Sequence, residues 1–327
     1  MTNDDRLSAW SGRTDPADGE KIQRWHHAVR TVEASDAAGI ALAGFASDAG
    51  VSRNQGRPGA AQGPGELRRA MSNLAWHGNE HSRLYDAGDV RCVDGDLESA
   101  QREYAALLAR LLTAGHFPLG LGGGHEIAWA AYQGLAAAMG DDPRMARLGI
   151  VNFDAHLDLR TPEVHGRGTS GTPFLQIAEA RAAGGQPFRY LCIGVNPAAN
   201  TRALFDRADS LGVEIVLDTD IVGSRLESVH ERIGRFIDGC SAVYLTFCLD
   251  VLPAAVAPGV SAPAAPGISA HSALELLRAA LHRCRPADAA SKLLLADVAE
   301  LNPTLDPDGR TARMAARVVY EIARISP

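Results

Sequence analysis

The stretch LGIVNFDAHLD at residues 148–158 decides how the rest of the chain is read. Residues 148–154 form a nearly continuous apolar run, the pattern of a strand covered on both faces. The run ends in Asp154, followed by His156 and Asp158, at spacings i, i+2 and i+4. On an extended backbone those three side chains point to one face. Two carboxylates and an imidazole at the end of an apolar strand are costly unless positive charge sits among them. A divalent metal satisfies all three, and the plainer alternative is a buried carboxylate–histidine hydrogen-bond chain.

Six other apolar runs read the same way, at 39–47, 117–122, 190–195, 213–217, 242–250 and 293–298. Helical patterns occupy 96–114, 127–139 and 269–282. Strand followed by helix, repeated, predicts a three-layer α/β/α fold with a mainly parallel central sheet. No interdomain linker interrupts the pattern, so residues 1–327 read as a single domain, with 1–35 as an N-terminal extension packing on it. The Ala/Pro/Gly-rich segment 253–266 directly follows a strand. It reads as an ordered loop at the strand's C-terminal end, where α/β sheets bind ligands.

Lys and Arg number 32 against 39 Asp and Glu, a net charge of −7, with 46% hydrophobic and 22% charged residues. These are ordinary globular values, and the acidic balance argues against a nucleic-acid partner. Only Lys21 and Lys292 are lysines, which reads as coding bias. The five cysteines (Cys92, Cys192, Cys240, Cys248 and Cys284) are odd in number and form no CxxC pair. That favours free thiols in a reducing compartment. The acidic start MTNDDRLSAW lacks the apolar core of a signal peptide. The longest uncharged run, 251–274, holds Pro253, Pro258, Pro263 and Pro266, which no membrane-spanning helix would choose. The expectation is a soluble cytoplasmic protein with no membrane partner.

Two more strand ends carry chemistry. GLGGGHE at 120–126 lies between a strand and a helix. A dinucleotide fingerprint would need glycine where His125 stands, and a P-loop would need GK[ST]. The glycines allow a sharp turn that brings His125 to the sheet edge, as a ligand or as a satisfied structural histidine. TFCLD at 246–250 places Cys248 and Asp250 at i and i+2, with a turn or cap role as the alternative for Asp250. Together the three strand ends offer His125, Asp154, His156, Asp158, Cys248 and Asp250, more ligands than one metal needs. Carboxylates can bridge, so two metals about 3.5–4 Å apart are the economical reading. The mixed oxygen and imidazole set suits Mn2+, with Fe2+, Co2+ and Zn2+ as alternatives. GxSxG is absent, and Gly259-Val-Ser261-Ala-Pro263 has proline where its last glycine would be. The chemistry indicated is attack by metal-activated water.

GGGHE at 122–126, NFDAHLDLR at 152–160, TFCLDVLPAAVAPGVSAPAAPG at 246–267 and DVAELNP at 297–303 span most of the chain. In these motifs the chain resembles the ureohydrolase family of arginases, agmatinases and formimidoylglutamases. WSGR at 10–13, NQGRPGA at 54–60 with Gly63-Pro64, SGTPF at 170–174, and Asn302-Pro303 leading to Asp306 and Thr311-Ala312-Arg313 are similar to the formimidoylglutamase branch. The resemblance implies an arginase-like fold, two Mn2+ per chain and a homo-oligomer. It also implies hydrolysis of N-formimidoyl-L-glutamate to L-glutamate and formamide in histidine degradation. By the same resemblance Asp158 carries a proton to the departing α-amine, and Glu300 faces the substrate's imino nitrogen. The substrate carboxylates call for arginines, which grip carboxylates bidentately. Arg160 and Arg57 are the candidates, with Asn54 and Ser170 as further substrate-binding residues.

Two departures from the family pattern matter. Guanidino-cleaving relatives carry His-Gly where this chain has Ser170-Gly171, and serine cannot shuttle a proton near neutral pH. This counts against an arginase or agmatinase acting on a guanidino acid, which stands as the runner-up. His165 either takes that role or is a plain loop histidine. The family's third motif has Asp at both metal positions, and the first, which usually bridges the metals, is here Cys248. Three readings follow: Cys248 ligates, Cys248 stands aside from a working site, or the chain is a metal-poor scaffold.

Overall fold

The computed structural model describes residues 7–79, 81–162, 166–285 and 290–325. Its core is a nine-stranded sheet: β1 Val29–Thr31, β2 Ile40–Ala46, β3 Leu84–Arg91, β4 Phe117–Gly122, β5 Leu148–Phe153, β6 Tyr190–Val195, β7 Glu214–Leu217, β8 Ala242–Cys248 and β9 Leu293–Ala299. The order is β1-β3-β2-β4-β9-β8-β5-β6-β7. Every pairing is parallel, so the mainly parallel sheet expected is wholly parallel among the described residues.

Ten α-helices accompany it among the described residues: α1 Trp25–Ala28, α2 Ala49–Arg53, α3 Gly63–Ser72, α4 Leu97–Thr113, α5 Ile127–Met139, α6 Pro173–Ala183, α7 Arg202–Ser210, α8 Leu226–Asp238, α9 Ala270–Arg283 and α10 Arg310–Ile325. Alternate residues of each central strand face opposite layers. Ile40 and Leu42 belong to the core cluster that includes residues of α3, α8, α9 and α10, and Ala41, Ala43 and Phe45 to the one that includes residues of α4, α5 and α6. Burial on both faces is why these strands read as unbroken apolar runs. Local signals start the helices: Asp96 accepts from Ser99 N ahead of α4, Ser269 from Ser272 N ahead of α9, and α6 opens on Pro173. No helix of the described residues is long and apolar enough to cross a membrane.

The sequence reading missed β1 and β3. The three-residue β1 is too short to show a period. In β3, LYDAGDVR, two aspartates break the apolar run. Arg68 of α3 compensates them, with Nε 2.6 Å and Nη2 2.8 Å from the two oxygens of Asp86, and Nη1 2.6 Å from Asp89. Trp10 Nε1 donates to Asp86 Oδ2 at 2.7 Å and ties the N-terminal segment to the same strand.

Parallel strands put all their C-terminal ends on one edge. The adjacent order β4-β9-β8-β5 therefore brings the three strand ends that bear ligand residues together with the end of β9, which leads to Glu300.

Arg68 is 3% exposed and Asp86 wholly buried. Arg68→Ala leaves that carboxylate unpaired, so urea unfolding should show a loss of about 3–5 kcal/mol. Breaking the exposed Arg69–Glu66 pair next to it by Arg69→Ala should cost at most about 1 kcal/mol.

Candidate metal centre

The turn after β4 explains its two glycines. Gly123 N donates to Phe45 O at 2.8 Å and Gly124 N to Ser47 O at 2.9 Å, so the turn lies directly on the end of β2. A Cβ at Gly123 would collide with the Ser47 carbonyl, and one at Gly124 with the Glu126 carboxylate. The glycines thus seat His125 rather than cradle a phosphate.

His125 Nδ1 lies 2.9 Å from Asp154 Oδ2 and 3.0 Å from Asp158 Oδ2. Neither oxygen lies in a hydrogen-bonding direction, and Nδ1 is buried without a hydrogen-bond partner. His156 Nδ1 lies 3.0 Å from Asp250 Oδ2. Two ligand groups result, each with its donor atoms within 4.8 Å of one another: His125, Asp154 and Cys248, and Asp154, His156 and Asp250. They share Asp154, as a pair of cations with a bridging carboxylate requires. The buried, unbonded imidazole nitrogen facing two carboxylates is a second mark of a cation site, so the residues present fit a metal pair.

The electrostatics agree. Burial raises Asp158 to about 6, helped by Asp154. Burial raises Glu300 to about 8, helped by Glu126 and Asp250. Burial, with neighbouring carboxylates, also lifts Asp250 and holds the Cys248 thiol well above its ordinary value. Burial opposes charge on Asp154 too, yet His125 and His156 pull it well below the usual carboxylate range. Burial likewise opposes charge on His125 and His156, and the facing carboxylates override it and raise both. Bound divalent cations would take over the role of those imidazole protons. Asp158 at φ 47° and Glu300 at φ 73° occupy the left-handed region, a strained conformation that clusters at functional sites.

A cleft of about 320 Å³ opens over these groups. His125, His156, Asp158, Cys248, Asp250 and Glu300 line it, together with Asn54, Arg57, Arg160 and Ser170, while Asp154 lies wholly buried beside His125. The fold thus gathers every site residue expected from the sequence. Arg160 is exposed at the cleft, and its guanidinium makes no hydrogen bond or ion pair with the described residues. A Cβ at Gly171 would stand 2.8 Å from Arg160 Cδ and 3.1 Å from the Asn54 amide, so this glycine makes room for both.

Arg57 differs from expectation. Its Nε donates to Ser261 O at 2.8 Å and its Nη2 to Val260 O at 2.7 Å. Much of the guanidinium therefore ties the 54–60 loop to the 253–266 loop.

Supporting residues escaped the sequence reading. Asn200 Oδ1 accepts from Leu157 N at 3.0 Å and its Nδ2 donates to Ala155 O at 2.9 Å, bracing the loop that carries His156. Glu126 Oε1 accepts from Ser47 Oγ at 3.0 Å and Gly50 N at 2.9 Å, anchoring the start of α2 ahead of Asn54. Asn200 follows the end of β6, and that position was its only sequence signal. His165 lies outside the described residues.

With this geometry in place, the relatives can be named. A formimidoylglutamase of Aromatoleum aromaticum is 48% identical over 323 residues, 96% of this chain and 91% of that protein. One of Chromobacterium violaceum is 48% identical over 318 residues, 97% of this chain and 98% of that protein. The crystal structure of Trypanosoma cruzi formiminoglutamase with Mn2+2 superposes with a TM-score of 0.75 at 28% identity, covering 88% of this chain and 92% of that one. The formimidoylglutamase structure from Bacillus subtilis shares the fold, with a TM-score of 0.81 at 23% identity over 96% of this chain and 94% of that one. The Arginase family model matches residues 38–324. The chain belongs to the arginase family.

Proposed function

We propose that this chain hydrolyses N-formimidoyl-L-glutamate to L-glutamate and formamide, a step of histidine degradation. The observation that carries this is the pair of ligand groups sharing Asp154 at a cleft, in a chain that matches formimidoylglutamases over nearly its whole length. His125, Asp154, Asp158 and Cys248 would hold one Mn2+, and Asp154, His156 and Asp250 the other. Metal ions bound there supply Lewis acidity, bringing the pKa of water toward 7 and stabilising charge that develops at the formimidoyl carbon.

The chain's own residues do the rest. The Glu300 carboxylate faces the cleft and pairs with the cationic imino nitrogen, orienting the formimidoyl group. Its Oε1 accepts from His125 N at 2.8 Å, which keeps this carboxylate beside the ligands. Asp158 carries the proton to the α-amine of glutamate as the C–N bond breaks. Arg160 grips a substrate carboxylate, and Asn54 and Ser170 bind beside it. Arg57 holds the loop that presents Asn54 and keeps Nη1 for the substrate. Ser170 stands in the cleft where the guanidino-cleaving relatives carry histidine, which favours the formimidoyl substrate. The described cysteines are free, in keeping with a cytoplasmic enzyme. We read it as a single-domain chain that forms a homo-oligomer and has no nucleic-acid or membrane partner.

Loading with Mn2+ should give close to two metals per chain by elemental analysis. Chelation should abolish formamide release, and Mn2+ should restore it. Less than half a metal per chain without activation refutes the reading.

Arg160→Ala should raise KM for formimidoylglutamate about tenfold to a hundredfold with a smaller effect on kcat, because one charged hydrogen-bond pair contributes about 1.5–3 kcal/mol to binding. An unchanged KM would move Arg160 out of the site.

Cys248→Ala should lose metal and most activity, since two cations would then repel across a short gap with one anion fewer. Cys248→Asp should keep activity and shift preference toward harder ions. Wild-type metal content and rate in Cys248→Ala would place the thiol behind the site as a bystander.

A further inference from the structure

His125 has a second ring nitrogen, and what lies behind it is not part of the cleft. Its Nε2 is 3.0 Å from Thr246 Oγ1. The Thr246 hydroxyl donates to Asp297 Oδ1 at 2.5 Å. Asp297 Oδ2 accepts from the Tyr244 hydroxyl at 2.6 Å. All four residues are buried. Tyr244 and Thr246 share one face of β8, and Asp297 on β9 is the register partner of Thr246. Gly120 on β4 is the partner of Asp297 on the other side, and a Cβ there would stand 2.6 Å from Asp297 Cβ. The first glycine of the GLGGGHE motif therefore makes room for a carboxylate inside the sheet.

The direction of these hydrogen bonds follows from donor counting. An ionised carboxylate only accepts, and a hydroxyl has one hydrogen. Once Thr246 gives its hydrogen to Asp297, its oxygen can only accept from the imidazole. The ring proton must then sit on Nε2. When a cation takes the place of the proton that the facing carboxylates favour, the Nδ1 lone pair is directed at the space shared with Asp154 and Asp158, where Nδ1 has no hydrogen-bond partner. We propose that Asp297, acting through Thr246, holds His125 in the Nε2–H tautomer and so presents Nδ1 as a metal ligand.

Both are positioning residues, since neither touches metal or substrate. The arrangement is a carboxylate–hydroxyl–imidazole relay, one hydroxyl longer than the carboxylate–histidine pairs behind many metal sites. Each oxygen of Asp297 accepts from a hydroxyl, the pattern of an ionised carboxylate, and those two hydrogen bonds work against the burial that raises it. The inference rests on the metal-hydrolase reading.

The test compares Thr246→Val, Thr246→Ser and Asp297→Asn in the full chain. Free Mn2+ is followed by its EPR signal during titration, and unfolding of each metal-free protein serves as the folding control. Removing such an outer partner typically weakens metal binding about 10–100-fold, which is expected for Thr246→Val and Asp297→Asn. Thr246→Ser keeps the hydroxyl and should bind within about threefold of wild type, below that range. The Mn2+ concentration for half activation should move with the affinity, while kcat at saturating Mn2+ moves less. Wild-type affinity in Thr246→Val overturns the relay. Equal weakening in the serine and valine variants overturns it too, because the hydroxyl that serine keeps would then not be what sustains the affinity. A wild-type protein that takes up no Mn2+ fails differently, by overturning the metal-hydrolase reading on which the relay depends.

Discussion

Asp154 is a wholly buried carboxylate at the end of a central strand, and the site is arranged around its charge. Nearby stand Asp158, Asp250, Glu300 and Cys248, every one raised by burial. Among the described residues none of these groups has an arginine or lysine as ion partner; the imidazoles of His125 and His156 are the cationic groups at hand. Such a concentration of anions in a low-dielectric place is unfavourable without cations. The contrast with Asp86 is instructive. There the chain supplies Arg68 as counter-ion and the result is a structural clamp. At Asp154 the chain supplies donor atoms and leaves the positive charge to come from solution.

The donor atoms are held by backbone rather than by one another. The turn after β4 rests on the end of β2, and Asn200 braces the loop after β5. Glu300 N donates to Gly123 O at 2.8 Å, and Glu300 Oε1 accepts from His125 N, so the ends of β4 and β9 are joined twice. The strained φ values at Asp158 and Glu300 are affordable in this setting, because neighbouring segments over-determine them. These two residues are also the ones assigned to proton transfer and to the imino nitrogen. Rigid support on one side and an open cleft on the other is the arrangement that preorganised hydrolysis needs.

Much of this was legible in the sequence. Seven of the nine strands showed as apolar runs, because burial on both faces leaves no polar alternation to obscure them. The ligand residues showed because i, i+2, i+4 spacing on an extended chain is a local geometric fact. β3 did not show, since its aspartates only make sense beside Arg68, which is 18 residues away from Asp86. The loop-tying contacts of Arg57 and the bracing role of Asn200 were missed for the same reason: their partners are loop backbone atoms with no residue-type signature.

The sequence by itself determined the α/β class, the strand ends that bear chemistry and the family motifs, all of which depend on backbone dihedrals and side-chain type within a short window. Only the tertiary structure decided that β4, β9, β8 and β5 lie side by side, that Asp154 belongs to both ligand groups, and that Arg160 rather than Arg57 keeps a free guanidinium at the cleft. It also decided which nitrogen of His125 faces the carboxylates. Those are distances between segments up to 204 residues apart, as between Arg57 and Ser261. They are set by strand order and by the packing of both helical layers, and no local pattern encodes them.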